Sequence, residues 1–151
     1  MAEAFTLIKQ HETLAYFVGA QPSELIERAE NVLGCKFPLD YLEFVSQLGA
    51  GAFGSFEIYG LINSDFEHSA VPNAVWLTLD ERRGSKLPNN LLIIGDTGYG
   101  NYYVLQISAN DSAVFEYDPS YSALGDKRYT SFSEFFSSGI KAALVREGLG
   151  R

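Results

Sequence analysis

Three observations predict an α+β fold. Two adjoining segments, Leu25 to Leu33 and Tyr41 to Leu48, carry apolar residues at helical spacing; the middle of the chain holds short apolar or alternating runs bounded by Gly, Pro, Asn and Asp; and a last helical stripe follows Ser131 and Glu134. Helices at the two ends with strands gathered between them give a central, mainly antiparallel sheet with helices packed at N-terminal, middle and C-terminal positions.

The elements follow in order. Phe5 to Gln10 is a short helix docked through Phe5 and Ile8, and Tyr16-Phe17-Val18 leads into a turn from Gly19 to Pro22. In the next helix Leu25, Ile26, Ala29, Val32 and Leu33 form one stripe, while Glu24, Glu27, Arg28, Glu30 and Asn31 face away. Pro22 or Ser23 starts this helix, and Gly34 suits the left-handed position that ends it. Pro38 opens the following helix, where its missing N–H has no partner to lose, and Tyr41, Phe44, Val45 and Leu48 repeat the stripe. With so short a connection the two helices must pack together or leave both stripes wet.

Gly49 to Gly54 then makes a tight helix-to-strand turn, and Phe56 and Ile58 alternate with Glu57 and Tyr59 as in a half-buried strand. Residues 62 to 71 are a loop. A helix beginning at Pro72 or Asn73 buries Val75, Trp76 and Leu79 and ends through Arg82-Arg83-Gly84. Strands follow at Leu91 to Ile94, Tyr102 to Ile107 and Ala113 to Tyr117. Ser108 to Ser112 joins the last two as an antiparallel hairpin. Ser131 and Glu134 form a capping box for a helix that carries Phe132, Phe135, Phe136, Ile140, Ala143 and Leu144.

At 151 residues and 16.7 kDa the chain fits one domain, residues 1–151, able to bury about two-thirds of its unfolded surface without a metal or disulfide. No segment approaches the ~20 apolar residues of a membrane span, and the N-terminus lacks a signal peptide's basic region and apolar core, so a cytoplasmic location is expected. Cys35, the single cysteine, is expected to be a small buried residue.

Nineteen acids against eleven bases give a net charge of −8, unevenly spread. Phe37 to Glu81 holds seven acids and no Lys or Arg, and Leu87 to Asp126 holds five more, again without a base. Such stretches repel phosphate backbones and attract cationic surfaces, which argues against nucleic acid and for a basic partner, although charge also serves solubility. Six of the nine tyrosines lie between Tyr99 and Tyr129. Tyrosine is enriched where proteins meet proteins and also in sheet cores, and both uses fit here.

No catalytic or cofactor motif survives its context. Gly49-x-Gly51-x-x-Gly54 has the letters of a dinucleotide fingerprint but a helix before it and a strand after it, the reverse of what would aim a helix N-terminus at a pyrophosphate. Gly95 to Gly100 lacks the Gly-Lys-Ser/Thr of a phosphate loop and joins two strands. Asp65-Phe66-Glu67-His68 sets two carboxylates beside an imidazole without a recognised metal spacing, and a solvated loop explains it better than a hydrolase. Arg82 to Lys86 is the one basic cluster, and a solvated loop or helix terminus explains it more simply than a nucleic-acid patch. No enzymatic activity, cofactor or metal is expected.

Taken together, Ile26 to Gly34, Phe37-Pro38-Leu39-Asp40-Tyr41 with Phe44, the Gly51-Ala52-Phe53-Gly54 turn with Ile58-Tyr59-Gly60, Leu87-Pro88 to Ile94-Gly95, Gly100 to Leu105, and Ser131 to Phe135 resemble the SUKH superfamily of Smi/Knr-like proteins. Gln106 and Gly49-Ala50-Gly51 depart from that pattern. The resemblance implies an α+β fold without enzymatic activity and a bacterial cytoplasmic immunity protein that binds a cognate toxin domain, frequently a nuclease, and blocks its active site. A regulatory scaffold binding endogenous proteins, as in cell-wall regulators of the same superfamily, is the alternative. Combined with that resemblance, the base-free stretches and the tyrosines among them give Glu57, Tyr59, Asp65, Glu67, Asp96, Tyr99, Tyr102, Glu116 and Asp118 as the expected toxin-binding residues.

Overall fold

A computed structural model describes residues 1–107 and 111–150. The elements run α1 (Ala2–Gln10), a 3-10 turn (Glu12–Leu14), β1 (Ala15–Phe17), α2 (Ser23–Leu33), α3 (Leu39–Gln47), β2 (Gly51–Phe53), β3 (Phe56–Ile58), α4 (Ala74–Gly84), β4 (Leu91–Asp96), β5 (Tyr102–Gln106), β6 (Val114–Asp118), β7 (Ala123–Tyr129) and α5 (Phe132–Arg146). The α+β class is as expected. The sheet comes in two parts, β1-β2-β3 and β4-β5-β6-β7, each antiparallel throughout.

The two parts are stitched at one point. Between Ile93 and Gly95 the pairing of β4 with β5 slips by one residue, and the extra residue, Ile94, offers its carbonyl to Tyr59 N at 2.9 Å. A bulge leaves one residue's backbone groups out of its own ladder and bends the strand. Here that freed carbonyl holds the end of the first sheet against the edge of the second.

The helix pair forms as its stripes require, with Gly34 left-handed at φ 78°. Leu25, Ile26, Ala29 and Leu33 are buried, as are Tyr41, Phe44 and Val45, but Val32 is 47% exposed because it sits at the margin of a stripe whose centre the other four already fill. Glu30, expected on the outer face, curls back so that its carboxylate accepts from Phe37 N at 2.7 Å across the turn. In α4, Ala74, Val75, Leu77 and Thr78 are buried, with Trp76 and Leu79 only half-buried. Asn73, itself buried, caps this helix by accepting from Trp76 N at 3.1 Å.

Three expectations need correction. Gly51 to Phe53 is not a turn but a strand, paired on one side with β1 and on the other with β3. The glycine is what allows it: Gly51 has φ +147°, and a Cβ there would overlap the Tyr16 carbonyl of the facing strand. The strand β7 was not anticipated, since Ala123 to Arg128 are all exposed and show no buried alternation. Cys35 is half-buried at the core's edge. The hairpin from β5 to β6 is present, and residues 108–110 of its connection lie outside the described residues.

The core holds a chain of aromatic rings. Phe44 lies within 5.4–6.4 Å, centroid to centroid, of Phe17, Tyr41, Phe132 and Phe136, joining α3 to β1 and α5. Such tilted and edge-to-face pairs add to the area they bury.

Candidate functional site

A cleft of 710 Å³ opens between α5 and the seam of the two sheets. Strand β3 brings Phe56 and Glu57 to it, the residue after the strand brings Tyr59, and the end of β4 brings Asp96. Its ring wall comes from Phe56, Tyr103, Tyr129 and Phe135. Phe135 is the hub, with centroids 5.4 Å from Phe56, 5.2 Å from Tyr103 and 5.4 Å from Tyr129. Gly139 lets the wall close onto α5, because any Cβ at this position would overlap the Phe56 ring. The far rim carries Ser138, Ala142 and Arg146.

Charge in the cleft is dominated by carboxylates. Asp96 is exposed, and its Oδ1 accepts from Gly98 N at 2.6 Å, an Asx turn that fixes the side chain at the strand's end. Glu57 is exposed, and among the described residues no donor or base is bonded to it. Among the described residues Arg146 is the one base on the wall, its Nη1 donating to Ser55 Oγ at 3.1 Å. Burial pushes the Tyr59 hydroxyl well above the ordinary tyrosine range, and the nearby Glu57 and Asp96 push it further. Tyr102, on the opposite face of β5, is pushed up to about 12 by burial and then by Glu81 of α4 and by Asp96.

The nine residues picked from the sequence do not share one surface. Glu57, Tyr59 and Asp96 line the cleft, although Tyr59 is only 3% exposed and contributes an edge. Tyr99 stands 92% exposed at the tip of the β4–β5 connection, next to the Asp96 turn. Tyr102 lies alongside Glu81. Glu116 and Asp118 border a separate shallow hollow with Asn101 and Asp126, and Glu116 is already paired with Arg128 at 3.1 Å. Asp65 and Glu67 sit on the loop before α4, where Asp65 Oδ1 accepts from Glu67 N and His68 N at 3.1 and 2.9 Å. Those two bonds, His68's first, draw the Asp65 carboxyl below its usual range. Among the described residues no group of three or more His, Cys, Asp or Glu is placed to hold a metal ion, and no helix is long and apolar enough to cross a membrane.

A family model described as SMI1-KNR4 cell-wall, SUKH_5, matches residues 1–141. The chain belongs to the SUKH superfamily. The match takes in every element that lines the cleft, running out only within α5, before Ala142 and Arg146. No curated protein matches the chain.

Two residues that organise this SUKH domain were missed in the sequence. Asp40, counted there as one more surface acid, uses Oδ2 to accept from Ser112 Oγ, Ser133 N and Ser133 Oγ at 2.9–3.0 Å, tying α3 to β6's approach and to the first turn of α5. Arg82 looked like part of a solvated cluster. It donates instead to Leu33 O at 3.0 Å and Asn89 O at 2.8 Å, stapling the end of α2 to the approach to β4. The signal for Asp40 was its place in a helix's first turn; nothing local pointed to Arg82. The capping box at α5 is half as expected: Ser131 Oγ accepts from Glu134 N at 3.1 Å, but the Glu134 carboxylate reaches back to Thr130 N at 2.9 Å rather than to Ser131 N.

Proposed function

We propose that the protein is a cytoplasmic immunity protein, one domain over residues 1–151, that binds a cognate bacterial toxin and inhibits it by occluding its active site. Membership of the SUKH superfamily carries this reading. The charge supports the mode of action: a nuclease holds phosphate in a basic cleft, and an acidic protein enters the same field with a steered on-rate. In this reading the chain acts by binding and not by catalysis, with no cofactor, and its contact residues come from Glu57, Tyr59, Asp65, Glu67, Asp96, Tyr99, Tyr102, Glu116 and Asp118. The exposed members around the Asp96 turn and the Asp65 loop are the best placed, since Glu116 spends its charge on Arg128.

A second reading, a regulatory scaffold for endogenous proteins, has one observation in its favour: the matched family is described by the cell wall. The decisive experiment takes the product of the adjoining reading frame, which this reading expects to be a toxin, and measures association rate against ionic strength, together with survival of cells expressing it. Wild type should protect. An Asp65→Lys, Glu67→Lys, Asp96→Lys variant should associate roughly tenfold more slowly at low salt, lose most of its salt dependence and protect poorly. No binding by the wild type, with pull-down of a host protein in its place, would favour the scaffold. Equal protection by the variant would reduce these acids to solubility.

A further inference from the structure

The cleft's composition points to one kind of ligand more narrowly than "a basic partner". It has a ring wall of Phe56, Tyr103, Tyr129 and Phe135 on one side and, at its mouth, two carboxylates, Glu57 and Asp96, that have no basic partner among the described residues. At 710 Å³ it falls in the range of about 300–1,000 Å³ that holds small ligands and inserted side chains. An anion is disfavoured, because two acids outnumber the one base and Arg146 is engaged with Ser55. A metal ion finds too few ligands among the described residues. A neutral apolar group would satisfy the rings but leave both carboxylates facing it at a desolvation cost. What meets both halves is a planar cation. A guanidinium stacks flat on aromatic faces and forks its N–H groups to carboxylates, which a compact, strongly hydrated ammonium does less well.

We propose that this cleft receives a single arginine side chain projecting from the partner protein, its guanidinium stacked against the ring wall and hydrogen-bonded to Glu57 and Asp96. The proposal rests on the protein-binding reading above, and it adds which part of the surface is the anchor. Such an inserted, desolvated arginine is the type of residue that dominates interface energetics. Asp96 is held ready by its bond from Gly98 N, which occupies Oδ1. Arg146, on the far rim, opposes the guest by like charge and so tunes the site.

The site can be tested without the partner. The full chain, labelled with nitrogen-15, is titrated with N-acetyl-arginine amide and, separately, with the citrulline analogue, which has the same shape and no charge. The arginine probe should shift the amides of Glu57, Gly98 and Gly139 saturably at millimolar concentration, and the citrulline probe should not. Glu57→Gln with Asp96→Asn should weaken the arginine probe about three- to tenfold, and Arg146→Gln should tighten it about two- to threefold. Equal shifts from both probes, absence of shifts at the cleft, or strongest shifts at the Asp65 loop would overturn the proposal, and so would insensitivity to all these substitutions. The toxin experiment separates the two claims. If the Glu57→Gln, Asp96→Asn variant neutralises the toxin as well as wild type does, the arginine cleft is wrong and the immunity reading stands. If the arginine probe binds as described but no toxin is neutralised, the cleft stands and the immunity reading falls.

Discussion

Removing the Asp40 carboxylate should destabilise the protein by about 2–4 kcal/mol, far more than an acid in a helix's outer turn ordinarily would. One of its oxygens accepts three hydrogen bonds from groups 72 and 93 residues away in sequence, and the other accepts from Tyr41 N at 2.9 Å. In Asp40→Ala, Ser133 N loses its partner at the N-terminus of α5, and buried Ser112 keeps only the bond its Oγ accepts from Phe132 N at 3.2 Å. Hydrogen bonds to a charged acceptor contribute about 1.5–3 kcal/mol each, but these three share one oxygen and water can reach the half-buried site, so the sum falls well short of additive. For a chain of this length each kcal/mol moves the melting temperature by roughly 2–4 °C, giving a drop of about 5–15 °C. Calorimetry on Asp40→Ala, Asp40→Asn and the exposed control Glu27→Gln checks this. Asparagine keeps one acceptor oxygen and loses the charge, so it should fall between the other two. An Asp40→Ala midpoint within a degree or two of Glu27→Gln would refute the idea that this carboxylate holds α3, β6 and α5 together.

Phe44→Ala, which removes a fully buried ring touching four others, should cost about 3–5 kcal/mol by urea denaturation, whereas Val32→Ala on the same helix pair should stay within about half a kcal/mol because Val32 is 47% exposed. Tyr102 favours its neutral form in the fold, with a pKa raised to about 12; the stability this gives is fully present below pH ~10 and lost as pH rises towards 12. Alkaline unfolding followed by circular dichroism should therefore show a loss in that window that Tyr102→Phe diminishes; an unchanged profile would mean that Tyr102 is not held neutral by the fold.

Where a segment is amphipathic, its burial and its period carry the same information, and those segments were legible. The α2–α3 pair and α5 appear at the expected residues, with the expected faces inward, because the stripes there are wide and the punctuation by Gly34, Pro38 and Ser131 is strong. Strands without a buried face are another matter. The edge strand β7 exists through backbone pairing with β6, and its Leu124, Asp126, Lys127 and Arg128 are exposed whatever their order. Its charges suit an edge that must not pair further, a property that sequence periodicity cannot register. The strand β2 was hidden for a different reason: glycine usually signals a turn, and here Gly51 allows two backbones to approach closely within a sheet.

The acids were harder still, because counting charge along the chain cannot separate carboxylates that are engaged from those that are free. Asp40, Glu30, Glu116 and Asp118 all spend oxygens on partners within the fold, on three donors from β6's approach and α5, on Phe37 N, on Arg128 and on Ser120 N respectively. Glu57 has no such partner among the described residues, and Asp96 uses only Oδ1, on Gly98 N. They lie far apart in sequence, in different sheets, and become neighbours only because the bulge at Ile94 hands its carbonyl to Tyr59 and so draws the two sheets into one seam. A single slipped residue in a strand thus helps decide that a cluster of tilted and edge-to-face rings contributed by four elements acquires two carboxylates at its mouth that no base among the described residues neutralises. That is why the net charge could suggest a cationic partner while leaving unsaid where on the surface such a partner would anchor.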